Sequence, residues 1–62
     1  MSPDLPPELA DALAAAPDAA ALFEALPPSH QREYTKWVDE AKKPETRVSR
    51  AGKTVTRLRE TH

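Results

Sequence analysis

The sequence predicts an all-α protein, a compact mini-bundle of three to four short helices with no strands. Prolines stand in front of stretches whose apolar residues recur at helical spacing, so the helix starts are marked. Tyr34, Trp37, Val38 and Ala41 fall at i, i+3, i+4 and i+7, the clearest amphipathic stripe in the chain. No alternating apolar run and no hairpin dipeptide argues for a strand.

Residues 1–6, which include Pro3 and Pro6, read as an extended lead. Pro7 suits the first turn of a helix over about 7–15, because its missing N–H would have no partner there anyway. Leu9 and Leu13 are one turn apart on this helix, among strong helix-forming alanines. Pro17 removes a hydrogen bond and clashes with the preceding turn, so two short helices are expected rather than one kinked one. The second, over 17–25, opens on Pro17-Asp18, with the carboxylate opposing the positive end of the helix dipole.

Pro27-Pro28 cannot continue that helix, and Ser29 reads as the N-cap of a third over 29–41. Glu33–Lys36 and Lys36–Glu40 are spaced to pair on its polar side. Lys42-Lys43 suits its carboxyl end, and Pro44-Glu45 starts a fourth helix over 44–60. Val48, Ala51, Val55 and Leu58 form the expected inner stripe of this last helix. Gly52 beside it costs about 1 kcal/mol relative to alanine, which a close helix crossing would explain.

A chain of 62 residues makes one small domain, which buries only about 60% of the surface its unfolded form exposes. Helices three and four are expected at the centre, covered by the shorter amino-terminal helices. Phe23, Leu26, Tyr34, Trp37, Val38, Val48, Val55 and Leu58 are the expected core. With no cysteine, disulfides and thiolate zinc sites are excluded. No apolar run approaches the roughly 20 residues of a membrane span. The start, Met1-Ser2-Pro3-Asp4, lacks the basic and apolar segments of a secretory signal, so a cytoplasmic location is expected.

The net charge of −1 conceals a division. Residues 1–31 carry five acids and no Lys or Arg, whereas residues 32–62 carry nine bases against five acids. Such a split can hold two halves of a bundle together or steer a partner.

The chemistry-bearing groups are few. Tyr34 and Trp37 read first as core, since each is a large share of the apolar area in so small a chain. An exposed aromatic platform for a ligand or partner is the second reading. Lys42, Lys43, Arg47, Arg50, Lys53 and Arg57 are the candidate partner-binding residues. Arg50, Lys53 and Arg57 recur at i, i+3 and i+7, on one side of the last helix. Such a stripe reads as a solvated or acid-paired surface, as an anion or nucleic-acid surface, or as a protein-partner surface. His30 and His62 have neither the i, i+4 spacing nor the acidic neighbours of a metal site. Ser49 has no histidine near it in sequence, and a single glycine cannot build a phosphate-cradling loop. No catalytic residue, metal or cofactor is expected.

Residues 23–58 also carry a resemblance. Leu26-Pro27-Pro28-Ser29-His30, Arg32-Glu33-Tyr34, Trp37-Val38, the run from Glu40 to Arg47 (EAKKPETR) and Lys53-Thr54-Val55 resemble the small domain of the YdeI/OmpD-associated, bacteriocin-protection family. The first 22 residues share only its general character. The resemblance implies a bacterial protein with a bacteriocin-protection or envelope-associated role, often as an appendage to another domain. It marks no catalytic residue. The expected function is a small non-enzymatic interaction module that binds a protein partner as a monomer. The alternative is a nucleic-acid-binding module that uses the basic side of the last helix.

Overall fold

A computed structural model of the chain describes residues 5–61. It shows four helices, α1 (Pro7–Ala14), α2 (Pro17–Ala25), α3 (Pro28–Asp39) and α4 (Pro44–Thr61), and no strand among the described residues. The fold is thus all-α. Each helix begins on a proline, whose fixed φ matches a first helical turn. Most of the expected extended lead, residues 1–4, lies outside the described residues. Of the remainder, Pro6 is buried and Leu5 packs against the core.

Ser29 is not the N-cap of the third helix. Pro28 takes the first helical position, so Ser29 lies inside the first turn and Pro27 is the cap, with no side-chain capping bond. The Pro27 carbonyl accepts from the backbone N–H groups of His30 and Gln31 at 3.0 and 3.1 Å. Lys36 forms no ion pair with Glu33 or Glu40 among the described residues, as expected of exposed pairs whose gain scarcely exceeds the entropy of holding them.

The centre of the bundle is α4 alone, not the pair α3 and α4. All three other helices pack on it, and α1 does so most extensively. The buried stripe of α4 is Ala51, Thr54, Val55 and Leu58, at i, i+3, i+4 and i+7. Leu9 and Leu13 of α1, Ala19 and Phe23 of α2, and Val38 of α3 complete the core with Ala16. The alanines let the short helices approach closely, at the cost of little apolar area per contact. Thr54 is wholly buried, and its hydroxyl donates to the Arg50 carbonyl at 2.9 Å. That bond satisfies the one polar atom it brings inside.

This register corrects two expectations. Val48 is not core but 60% exposed. One turn before the Ala51–Thr54–Val55 cluster, the inward positions are Arg47 and Arg50, and Val48 falls to the side. Gly52 does not mark a close crossing either: a Cβ built there meets nothing within 4 Å. It follows Ala51 by 100° of helix rotation and points outward. Leu26, Tyr34 and Trp37, also expected in the core, are only partly buried against it.

The junction of α2 and α3 is closed by Gln31. Its side-chain amide lies within hydrogen-bond distance of the carbonyls of Phe23, Leu26 and Glu24, at 2.9, 3.1 and 3.2 Å. These are carbonyls of a helix end, which lack intrahelical partners. The rings of Phe23 and Tyr34, with centroids 6.5 Å apart and planes at 51°, pack across the same junction.

Candidate functional site

The basic residues divide into those that hold the fold together and those that remain at its surface. Arg47 donates to the carbonyls of Asp39 and Ala41 at 2.9 and 3.1 Å, and pairs with Glu8 of α1 at 3.1 Å and Asp39 at 3.3 Å. Arg50 donates to the Trp37 carbonyl at 2.7 Å. The last turn of α3 is thereby accounted for: Lys36 and Val38 carbonyls accept backbone N–H groups, and those of Trp37 and Asp39 accept arginines from α4. Cations at a helix carboxyl end also oppose its dipole. Burial opposes the charge on Arg47, but its bonds to Glu8 and Asp39 outweigh that and hold the guanidinium above its ordinary pKa.

Arg59 forms a two-pronged pair with Asp18 of α2, at 2.9 and 3.0 Å. The hydrogen bond from Arg59 pulls the Asp18 carboxyl below its usual range, and the same bond raises Arg59. Two acids of the amino-terminal half, Glu8 and Asp18, thus meet two bases of the carboxyl-terminal half. The charge division serves in part to join α1 and α2 to α4.

Of the six candidate partner-binding residues, Arg47 and Arg50 therefore have structural roles. Lys42 and Lys43 are exposed in the connection from α3 to α4. Lys53 and Arg57 are brought together beside Trp37, where with Thr56 they line a recess of about 320 Å³. It adjoins a larger groove of about 450 Å³, lined by Leu26, His30, Glu33, Tyr34, Trp37, Arg57 and Leu58. Trp37 and Arg57 belong to both, so the two form one continuous open surface between α3 and the second half of α4.

The floor of this groove is Leu26, Tyr34, Trp37 and Leu58, and its rim is His30, Glu33, Lys53 and Arg57. Leu58 is buried beneath, whereas Tyr34 and Trp37 are only partly buried and line the opening. The Arg50 guanidinium carbon lies 5.3 Å from the Trp37 ring centroid, which helps fix the indole by a cation–π contact. Leu26, His30 and Glu33 escaped the sequence reading as binding residues, whereas Tyr34 and Trp37 had a second reading there as an aromatic platform. His30, Glu33 and Trp37 recur at helical spacing on α3, but the sequence does not say which edge of a stripe is left uncovered.

A second depression, about 600 Å³, lies over α1 and α3 and is lined by Leu5, Pro6, Pro7, Arg32, Thr35, Lys36, Asp39 and Arg47. Its charges are of both signs, and Arg47 there is already engaged. Among the described residues, no group of three or more His, Cys, Asp or Glu could hold a metal ion. No helix among them is long and apolar enough to cross a membrane.

Fold and groove together define a small all-α module that carries a partly aromatic floor and a rim of both charge signs. A family model described as Bacteriocin-protection, YdeI or OmpD-Associated matches residues 2–61, and the chain belongs to that family. The match takes in the amino-terminal residues, which the sequence motifs alone tie to the family only in general character. No curated protein and no solved structure gave a significant match.

Proposed function

We propose that the chain is a non-enzymatic interaction module, a cytoplasmic monomer that binds a protein partner through the groove between α3 and α4. One observation carries this reading. Tyr34 and Trp37, two of the three aromatic residues in the chain, pack against the core only in part and lie side by side along an open groove. Aromatic side chains with a polar rim are the usual anchors of protein interfaces. The nucleic-acid alternative is weakened because Arg47, Arg50 and Arg59 are engaged within the fold and Glu33 stands on the groove's rim. The family's description, bacteriocin protection or association with OmpD, gives the setting in which a partner would be sought.

The test is site-specific photo-crosslinking of the intact chain in extracts. A crosslinker replaces either Lys53 on the groove rim or Asp11, which is exposed on α1 and outside the groove. The proposal requires a discrete protein adduct from position 53 that position 11 does not give. Equal adducts at both positions, adducts to nucleic acid, or none at either would refute it.

A further inference from the structure

Arg50 acts on Trp37 twice. Its Nη1 donates to the Trp37 carbonyl at 2.7 Å, and its guanidinium carbon lies 5.3 Å from the centroid of the same residue's indole. The carbonyl is open to this bond because α3 ends there. In a continued helix it would accept from the Ala41 N–H, which instead meets the Val38 carbonyl at 3.2 Å. A cation within about 6 Å of an indole centroid is also attracted to the ring. One side chain of α4 thus grips both the backbone and the ring of Trp37. Arg50 nevertheless lines neither recess of the groove, whereas Trp37 lines both. The guanidinium therefore holds the indole without filling the space beside it.

We propose that Arg50 is a positioning residue: it touches no partner, and it fixes the Trp37 indole in the orientation that the groove presents. This step rests on the protein-partner reading above and concerns how that surface is kept ready. A partly buried indole with an open side would otherwise sample several rotamers, and a partner would have to order it on binding. Ordering one such side chain lowers affinity about 2- to 10-fold. The arginine removes that loss beforehand. Lysine does not replace it, because an ammonium lacks the planar fork that serves a carbonyl and a ring at once. Arg50 thus serves a partner without meeting it.

Trp37 is the only tryptophan in the chain, so its indole N–H gives a single resonance. Nitrogen relaxation of that group is measured in the isotopically labelled intact chain, in Arg50→Met and in Arg47→Met. The last is the control: it also frees carbonyls at the end of α3, those of Asp39 and Ala41, but leaves Trp37 untouched. The resonance of the folded species is read alone, so a loss of stability does not by itself move the result. The indole of the unaltered chain should have the order parameter of rigid backbone, about 0.85. In Arg50→Met it should fall below about 0.6 while the amides of Val38 and Leu58 in the core stay rigid. In Arg47→Met it should keep the value of the unaltered chain. Crosslinking from position 53 supplies the functional readout. In Arg50→Met, the concentration of folded chain that gives half the adduct in extracts should rise about 2- to 10-fold, and in Arg47→Met it should not.

A mobile indole in the unaltered chain would overturn the proposal at once. So would an indole that keeps its order in Arg50→Met, or one that loosens equally in Arg47→Met, because the arginines would then only tie down the end of α3. Should Arg50→Met fail to fold, the comparison is made with Arg50→Lys, which keeps a donor and a charge. An indole as rigid in that variant as in the unaltered chain would overturn the proposal. A loosened indole with an unchanged adduct curve would overturn this step while leaving the groove as a protein site. No adduct from the unaltered chain would remove the groove and this step together.

Discussion

Replacing Gly52 by alanine tests the register of α4 with a single methyl group. Gly52 lies well inside the helix, where alanine is favoured over glycine by about 1 kcal/mol through lower backbone entropy in the unfolded chain. The sign then depends on the space available. A methyl forced against a neighbouring helix would cost about 1–3 kcal/mol. Here the added Cβ finds nothing within 4 Å, so neither a clash nor new burial enters the balance. The expected result is a gain of about 1 kcal/mol, large against the roughly 3–5 kcal/mol a core of this size supplies. In a thermal melt followed by circular dichroism, it should raise Tm by about 4–8 °C. In urea, the midpoint should rise with the slope unchanged. Destabilisation at all protein concentrations would refute the outward placement of Gly52. Destabilisation that vanishes on dilution would instead show a second copy packed on this side of α4.

Other perturbations separate core from surface. Leu9→Ala removes a side chain with no exposed area between α1 and α4, and the loss of about 2–5 kcal/mol should leave the chain largely unfolded at room temperature by circular dichroism. Val48→Ala, at a position 60% exposed, should change the urea midpoint by no more than about 0.5 kcal/mol equivalent. Arg47→Met keeps the aliphatic stem but frees the Asp39 and Ala41 carbonyls and Glu8, so it should lower the urea midpoint even at high salt. Asp18→Asn probes the pair with Arg59, which holds the folded carboxyl pKa below its unfolded value. Its contribution is therefore present above about pH 4 and lost as pH falls through the folded value, so parent and variant urea midpoints should converge only in acid. High salt should narrow their difference at neutral pH, because both side chains are more than half exposed.

The helices were legible because proline and apolar period are local signals. Each observed helix starts on a proline visible in the sequence, and Tyr34, Trp37, Val38 and Ala41 do lie on the inward side of α3 or its end. Ala51, Val55 and Leu58 are buried as the period of α4 requires, and what escaped was its first turn and the inward Thr54. Val48 looked like core because it is apolar and in phase with Ala51 and Val55, but position 54 is the one buried, by a threonine that bonds its hydroxyl to its own helix. Arg47 and Arg50 read as surface cations for the same reason. Nothing local shows that α3 ends against them and offers its free carbonyls. Of the candidate site, the basic i, i+4 pair Lys53 and Arg57 was visible. Its meeting with Trp37, His30 and Glu33 depends on how α3 crosses α4, which is a tertiary fact.

The central claim is that the groove between α3 and α4 is the binding surface of this module. Amide chemical-shift mapping tests it most directly, with the isotopically labelled intact chain titrated by the partner recovered through crosslinking at position 53. The account predicts the largest changes at residues 26–37 and 53–58, together with the Trp37 indole N–H, while α1 and the start of α2 stay still. Changes centred on Glu8 and Asp11, on the second depression around Pro7 and Thr35, or on the Val48–Gly52 side of α4 would contradict it.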